Sequence, residues 1–185
     1  MADNKKQQFT TPIGEAMWAH LNKPRAFHEN GRDQGPPKFS IEVYFDPADP
    51  AWKEFTAKLK GAANGKALPF KWEKDENDQK TGRVYASYKT GEKFRPSMFD
   101  KYGKKMEENI LLGNGTKVRV NFGLNEYSGF GGGFNFYLNA VQVVDLIEYQ
   151  SRDAKGYGFD VEPEPVGAAA SGAALPPQAE DDLPF

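Results

Sequence analysis

The strongest constraint on the fold is a regular alternation of apolar and polar residues in several short segments. From Phe39 to Phe45 every second side chain is apolar, and the same period of two recurs in residues 116–124 and from 133 to about 149. Strand side chains point alternately to the two faces, so this pattern predicts half-buried β-strands. The pattern changes phase near Gln142, which predicts a bulge or bend. Weaker strand patterns cover residues 13–21, 68–72 and 83–89.

One helix is predicted over residues 51–63. Asp49 can cap it, Pro50 suits its first turn, and Asn64 followed by Gly65 ends it. A second, shorter helix over residues 98–108 is a weaker prediction, because Gly103 interrupts it. Short strands, one helix and long connections rich in Gly and Pro favour an all-β fold, a small closed barrel, over an α/β sheet.

The charge of the chain divides it into two parts. Residues 1–150 contain 22 Lys and Arg against 19 Asp and Glu, whereas residues 151–185 contain 2 against 7. Residues 160–185 also contain five prolines, a run of small residues and no Lys or Arg. Such a segment buries too little apolar surface to offset the entropy cost of ordering it. We therefore expect a folded domain over residues 1–150 and a disordered acidic tail over residues 151–185.

The residue inventory gives little support to catalytic or metal chemistry. The chain has no cysteine, which excludes disulfides, thiolate metal sites and a Cys nucleophile. His20 and His28 lack the Ser and Asp partners of a triad, and residues 75–86 lack the Gly and final Glu of a calcium loop. We expect a protein without enzyme activity, cofactor or metal. No apolar run reaches the ~18 residues of a membrane span and the first residues lack a secretory signal, so we expect a cytoplasmic protein.

The glycine-rich stretch at residues 129–133 is open to two interpretations. It lacks the third glycine of a dinucleotide fingerprint and the Gly-Lys-Ser/Thr ending of a phosphate-binding loop, so nucleotide hydrolysis is not predicted. The stretch is either a flexible hairpin or a loop whose bare backbone lets a ligand approach while Tyr127 and Phe130 offer rings.

Cations and aromatic rings are interleaved in the middle of the chain. Residues 80–120 hold ten basic side chains against four acidic ones, and the basic loop at residues 22–38 adds another candidate wall of a groove. Single-stranded nucleic acid needs cations for its phosphates and exposed rings on which its bases stack. The candidate residues for such binding are Tyr88, Lys89, Lys93, Phe94, Arg95, Phe99, Lys101, Tyr102, Lys104, Lys117, Arg119, Tyr127 and Phe130.

The last residues combine acids, one aliphatic side chain and a terminal ring. Such a tip can place its ring in an apolar pocket of a partner while its acids meet a basic rim. The flexible tail would carry this tip to the partner. The candidate partner-binding residues are Asp181, Asp182, Leu183, Pro184 and Phe185.

These residues carry a resemblance. The tip resembles the acid-acid-aliphatic-Pro-Phe ending of bacterial single-stranded DNA-binding proteins. Residues 35–45, 95–96, 113–120 and 138–142 are similar to bacteriophage-encoded single-stranded DNA-binding proteins with an OB fold, of the T-seven-like replication type. The resemblance implies a five-stranded Greek-key β-barrel with insertions, which coats single-stranded DNA without catalysis during phage DNA replication, recombination and repair in the host cytoplasm. It also implies that the tip recruits replication or recombination proteins such as a polymerase, helicase or nuclease.

The position of the helix departs from the usual OB pattern, in which the helix lies between the third and fourth strands. Here it follows only the second confident strand, so either the strand order is elaborated or the pattern hides a strand before residue 38.

The binding hypothesis places single-stranded DNA in a groove lined by residues 80–119 and 127–134. Without DNA, the acidic tail would occupy this groove, and DNA would displace it and release the tip. An RNA-binding or RNA-chaperoning protein with the same fold is one alternative, because stacking and phosphate contacts serve both nucleic acids. A protein–protein adaptor, with its rings in the core and only its tail active, is another. The sequence leaves the oligomeric state open, a homo-oligomer included.

Overall fold

Five long strands close into a barrel in the computed structural model, which describes residues 7–26, 28–29, 32–33, 35–129 and 131–149. Shorter strands extend the barrel at its edges, and one helix packs against it. In chain order the elements are β1 Gln8–Thr10, β2 Gly14–Arg25, β3 His28–Glu29, β4 Arg32–Asp33, β5 Lys38–Phe45, α1 Pro50–Ala63, β6 Lys71–Lys74, β7 Lys80–Gly91, β8 Ser97–Phe99, β9 Lys117–Tyr127 and β10 Gly133–Asp145.

The pairing of the long strands defines the topology. Strand β2 pairs with β5, β5 with β7, and β9 with both β10 and β2, all antiparallel, whereas β7 and β10 pair in parallel. Numbered along the chain, the five barrel strands therefore follow the closed order 1-2-3-5-4-1, which is the Greek-key order of an OB fold. This pairing confirms the predicted fold. The insertions are β1 on β9, β6 on β7, β8 on β10 and the β3–β4 hairpin.

The helix forms where the sequence predicts it. The Asp49 carboxylate accepts a hydrogen bond from the Ala51 N–H at 2.8 Å, and Asn64 ends the helix in the left-handed conformation. Trp52, Phe55 and Leu59 lie on its buried face. Helix α1 follows β5 and therefore lies between the second and third barrel strands. The strand order itself is the usual one, and no further barrel strand precedes residue 38 in the described chain, so neither explanation that the sequence offered for the position of the helix is correct.

The predicted second helix at residues 98–108 is wrong. Met98 lies in β8, which pairs in parallel with β10, and a tight turn follows it. In that turn the Asp100 carboxylate accepts the N–H groups of Tyr102 and Lys104, and Gly103 has a φ of 81°. An Asp that bonds its own local backbone competes with a helix, and a left-handed glycine stops one.

The weaker strand predictions have mixed outcomes. Residues 13–21 fall largely in β2 and residues 83–89 lie in β7, which confirms both, whereas residues 68–72 overlap β6 only at their end. The irregularity predicted near Gln142 is confirmed: the register of β10 against β9 shifts between Leu138 and Ala140 and again between Val143 and Asp145. These shifts let a strand bend around a barrel.

Aromatic rings fill the core. The fully buried Phe122 contacts Tyr88, Phe136, Phe55 and Phe9, with centroids 4.6–6.1 Å apart. Ring pairs at such distances add to the stabilisation that burial of their area provides. A large share of the aromatic content therefore serves the barrel interior, and only rings outside this cluster are available at the surface.

Helix α1, the one helix among the described residues, is too short and polar to cross a membrane. Nowhere in this part of the chain do three or more His, Asp or Glu side chains come together as metal ligands would.

Candidate nucleic-acid interface

A groove on the outside of the barrel is lined mainly by β7 and β10, with one residue each from β5, β6 and β9. We call it the central groove; its volume is about 560 Å³. Three lysines and several amide or hydroxyl side chains line it, and among the described residues its lining includes no Asp or Glu. The lining residues are Lys38, Pro69, Lys71, Ser87, Lys89, Thr90, Gly91, Asn125, Asn135, Phe136 and Tyr137.

Strand register brings the central residues of this groove together. In β7 the side chains of Val84, Ala86 and Tyr88 point into the barrel, so Ser87 and Lys89 point outward. Lys89 is the register partner of Ser40 on β5 and of Tyr137 on β10. A cation therefore lies at the middle of the face, between a hydroxyl and an aromatic ring.

Aromatic rings border the central groove at one end. Phe94 is 64% exposed and meets the ring of Tyr137 edge-on, with centroids 6.4 Å apart. The turn that holds Phe94 is closed by a hydrogen bond from its N–H to the Gly91 carbonyl at 2.9 Å. An exposed ring costs hydration free energy in the unbound protein and offers a flat surface to a ligand.

A smaller groove, of about 220 Å³, adjoins the central groove over β2, β5 and β7. We call it the side groove, and it shares Ser87 and Lys89 with the central groove. Within it, Arg25 approaches Nε2 of His20 to 3.3 Å. Burial, and then the charge of Arg25, lower the pKa of His20, so its ring is neutral at pH 7. Trp18, His20, Arg25, Ser40, Glu42, Ser87 and Lys89 line the side groove.

Tyr88 is not a surface ring. It is 0% exposed, stacks on Phe136 at 5.2 Å, and its hydroxyl has no hydrogen-bond partner among the described residues. Burial raises the pKa of the hydroxyl. The prediction that Tyr88 stacks on a base is therefore wrong, because strand alternation turns Tyr88 inward and its neighbour Lys89 outward.

The basic segment at residues 88–105 divides between two places. Lys89 lines both grooves, and Phe94 borders the central one with Lys93 beside it in the same exposed turn. The remaining predicted residues lie on β8 and the turn after it, beside Gln142 of β10. Gln142 is five residues from Tyr137, about 16 Å along the strand at ~3.3 Å per residue. This second group comprises the half-buried Phe99 and the exposed Lys101, Tyr102 and Lys104.

Arg95 has contacts inside the protein. Its guanidinium donates to the Glu108 carboxylate at 2.6 Å and to the Asn22 carbonyl at 2.5 Å, and it lies over the Phe39 ring at 5.8 Å. These contacts tie the segment after β7 to β2 and to residues 105–110. Arg95 therefore has a structural role, and any contact with DNA stays a prediction.

Lys117 belongs to a cluster of opposite charges on β2, β6, β7 and β9, which we call the charge cluster. Glu15 accepts from Lys117 Nζ and from Arg83 Nη1, both at 2.7 Å, and Glu73 binds Arg83 through both carboxylate oxygens. The hydrogen bond from Lys117 is the largest influence that lowers the pKa of Glu15, despite partial burial. Two cations and two carboxylates balance here, so the charge cluster offers a phosphate little net attraction.

Three predicted residues remain. Arg119 is exposed near the start of β9, two residues from Lys117, whereas the groove residue Asn125 lies near the strand's end. Tyr127 is partly exposed and its ring covers Gly133, where a side chain would clash with it. Phe130 and the tail residues 181–185 lie outside the described residues, and their roles stay predictions.

Sequence patterns missed several residues of the two grooves. Tyr137, Asn125 and Asn135 stand on the polar side of strand patterns, and that alternation could have placed them on the outer face. Lys38 and Arg25 belong to the basic stretch at residues 22–38, and each lines one of the two grooves. The role of this stretch as a wall of a DNA-binding groove stays a prediction. Trp18 carried no signal, because an apolar residue in a weak strand pattern is expected inside.

Comparison with known proteins identifies the fold. No protein-family model and no curated protein sequence matches the chain. Among solved structures, gp2.5, a single-stranded DNA-binding protein of bacteriophage T7, is 20% identical with a TM-score of 0.60, over 86% of this chain and 99% of that one. The single-stranded DNA-binding protein of bacteriophage Enc34, solved in complex with single-stranded DNA, is 21% identical with a TM-score of 0.55, over 76% and 88%. The resemblance to phage single-stranded DNA-binding proteins is thus confirmed in the fold.

Proposed function

We propose that this chain binds single-stranded DNA along the central groove, without preference for base sequence. The observation that carries the proposal is a groove over β7 and β10, with Lys38 of β5 at its edge, whose described lining has three lysines and no carboxylate and which a pair of rings borders. OB folds bind oligonucleotides on the face of their second and third strands, which are β5 and β7 here. Two proteins that share the fold are single-stranded DNA-binding proteins, and one of them was solved in complex with single-stranded DNA.

The chemistry of the groove favours a single strand over a duplex. Lys38, Lys71 and Lys89 can hold successive phosphates, while Tyr137 and Phe94 offer rings to bases. Stacking contributes ~1–3 kcal/mol per base and accepts any base, because each has a π-face. A duplex hides those faces inside its own stack, so it can use only the cations.

The role we propose is coating and protection of single-stranded DNA during phage DNA replication, recombination and repair, without catalysis. The acidic tail would lie in the groove while no DNA is bound, and DNA would displace it. Release of the tip would then couple coating to recruitment of replication or recombination proteins such as a polymerase, helicase or nuclease.

A salt-dependent titration tests the binding proposal. Fluorescence anisotropy with single-stranded DNA, duplex DNA and RNA of equal length should show the tightest binding to single-stranded DNA, with affinity falling steeply as salt rises. Tighter binding of RNA would favour the RNA-binding alternative. Absence of binding to all three nucleic acids would overturn the proposal and favour the adaptor.

Truncation of the tail tests the competition. Deletion of residues 160–185 should tighten binding of single-stranded DNA, most clearly at low salt, because it removes six of the seven acidic residues beyond residue 150. Deletion of the uncharged residues 167–174 is the matched control and should leave affinity unchanged. Unchanged or weaker affinity after removal of residues 160–185 would contradict the competition and leave the binding proposal intact.

Removal of Phe185 alone tests recruitment. The truncated chain should bind single-stranded DNA as the full chain does, but lose its association with a purified replication polymerase or helicase, because the ring is the apolar anchor of the tip. Retained association would overturn the role of the tip.

A further inference from the structure

Trp18 has an unusual conformation in the middle of β2. Its φ is 50°, in the left-handed region that bulky residues rarely adopt, and its side chain is 59% exposed. Both features are unfavourable, since the backbone is strained and a large apolar ring is in water. Residues with this combination require support from their surroundings, and they concentrate at functional sites.

Specific contacts hold this conformation. The Trp18 N–H donates to Oδ1 of Asn114 at 2.9 Å, and Asn114 lies 96 residues further along the chain. The two residues that follow Asn114 are fixed to Ala16 of β2: the Gly115 N–H donates to the Ala16 carbonyl, and the Ala16 N–H donates to the Thr116 carbonyl. The pairing of β2 with β5 breaks between Met17 and His20, which frees Trp18 from the ladder. The strand is thus locally reshaped around the indole.

The side groove is where this indole lies. The side groove contains both cations and an anion. The cations are Arg25 and Lys89, and the anion is the Glu42 carboxylate, which accepts a hydrogen bond from the Ser87 hydroxyl at 3.0 Å. A phosphate would be repelled by Glu42, but a neutral ring would not be. The side groove therefore fits a nucleobase, with the adjoining phosphates towards Arg25 and Lys89.

We propose that Trp18 is a base-stacking residue, that the side groove is a subsite for one unpaired nucleobase, and that Asn114 is the positioning residue that presents the indole. This inference rests on the proposed binding of single-stranded DNA and extends its path from the central groove onto β2. Lys89 and Ser87 connect the two grooves, so one strand can occupy both.

Replacement of the indole is the first test. In the full chain, Trp18→Ala should weaken binding of an oligo-dT probe by about 5- to 150-fold, the range for loss of one stacked base. The salt slope should not change, because no phosphate contact is removed. Trp72→Ala is the matched control: Trp72 is an exposed tryptophan on β6 that lines neither groove and lies under Lys80, whose Nζ is 5.0 Å from the ring centroid. It should bind within about twofold of the unaltered chain.

The role of Asn114 needs a conservative rescue. Asn114→Ala removes the acceptor of the Trp18 N–H and should weaken oligo-dT binding, by less than Trp18→Ala does. Asn114→Asp keeps an acceptor oxygen at the same place and, compared with Asn114→Ala at high salt, where its added charge is screened, should restore most of the affinity. A variant that only disturbed the loop would not be rescued in this way.

Thermal melting separates binding from folding. Trp18→Gly and Trp18→Ala both lack the ring, but glycine adopts a positive φ without strain. Trp18→Gly should therefore melt at a higher temperature than Trp18→Ala and bind oligo-dT equally weakly.

The outcomes distinguish this inference from the proposed function. If the unaltered chain binds oligo-dT and Trp18→Ala binds it equally well, the Trp18 subsite is overturned while the proposed function stands. If the unaltered chain binds no nucleic acid, both are overturned. Weaker binding by Trp18→Ala and Trp18→Gly with an unchanged salt slope supports the subsite.

Discussion

The central groove and the charge cluster both contain cations from the basic stretch at residues 80–120, and they differ in what surrounds those cations. In the charge cluster, Arg83 and Lys117 each lie 2.7 Å from a carboxylate oxygen of Glu15. The central groove has three lysines and no carboxylate in the part of its lining that the structure describes. One basic stretch of the sequence supplies cations to both regions, so net charge along the sequence cannot tell a binding surface from a structural ion-pair network. The neighbours that each cation acquires in the fold decide this.

The largest expected effect comes from removal of the groove cations. Lys38→Gln, Lys71→Gln and Lys89→Gln together should lower the salt slope for single-stranded DNA by about 2, since each phosphate contact contributes about 0.7. At 0.1 M salt this corresponds to an affinity loss on the order of 100-fold. Anisotropy titrations at several salt concentrations measure both quantities.

A matched triple variant controls for the loss of charge itself. Lys53, Lys58 and Lys60 are exposed on α1 and line neither groove. Their replacement by Gln removes the same net charge and should change the salt slope by much less than 2. Equal slopes for the two triple variants would show that total charge drives binding and that the central groove does not.

The aromatic residues test where along the barrel the bases lie. Tyr137→Ala should weaken binding by about 5- to 150-fold through loss of one stacking surface, with an unchanged salt slope. Tyr102 is 83% exposed, with Lys101 over its ring at 5.2 Å, but it lies beyond the groove, past β8. Tyr102→Ala should therefore bind nearly as the unaltered chain does. A larger loss for Tyr102 than for Tyr137 would move the binding path from the central groove to the β8 turn.

Tyr88 sharpens the distinction between a core ring and a surface ring. Its buried hydroxyl lacks a partner in the described residues, and an unsatisfied buried hydroxyl costs ~1–3 kcal/mol. Tyr88→Phe removes that hydroxyl and keeps the ring, so the free energy of unfolding should rise by about 1 kcal/mol. Affinity for single-stranded DNA should not change. Denaturant unfolding measures the first expectation and an anisotropy titration the second. Weaker DNA binding by Tyr88→Phe would show that the Tyr88 hydroxyl contributes to the DNA interface.

Local patterns predicted the elements because the causes of those elements are local. The period of two in β5, β9 and β10 and the capping signals of α1 act within a few residues, and the structure has them where expected. The sequence of residues 98–108 predicts a short helix where the structure has a turn. The Asp100 carboxylate closes that turn by accepting the N–H groups of Tyr102 and Lys104, and the apolar pattern of the segment does not reveal these bonds. The strand order of the barrel was predicted only through the resemblance to phage proteins. Strands that are distant in sequence pair through the fold, and the local pattern of one segment does not show which partner it has.

The site was predicted less well than the fold, for a physical reason. In the sequence, three cations stand in similar surroundings: Lys89, Arg95 and Lys117. In the structure, Arg95 binds Glu108, Lys117 binds Glu15, and Lys89 lines both grooves. Tyr88 and Tyr137 are both strand tyrosines, but Tyr88 stands on the inward-facing side of its strand and Tyr137 on the outward-facing side. Long-range pairing makes these differences, so they become visible only when the barrel is closed.

The smallest expected effect is a pH-dependent loss of stability on removal of Lys117. The hydrogen bond and charge of Lys117 hold the pKa of Glu15 below its ordinary value of 4.5. The unfolded chain therefore binds more protons than the folded chain just below pH 4.5, so the stabilisation is complete above that pH and is lost as pH falls through the folded pKa. Lys117→Gln should lower the free energy of unfolding by less than about 1 kcal/mol at pH 7, because solvent screens this partly exposed pair. Denaturant unfolding at pH 7 and pH 3 should show that deficit shrinking in acid, and Lys58→Gln, whose fully exposed pair with Glu54 lies on α1, gives the baseline. A deficit that persists unchanged at pH 3 would show that Lys117 stabilises the barrel by packing, and would leave the balance of charges in this cluster without an energetic role.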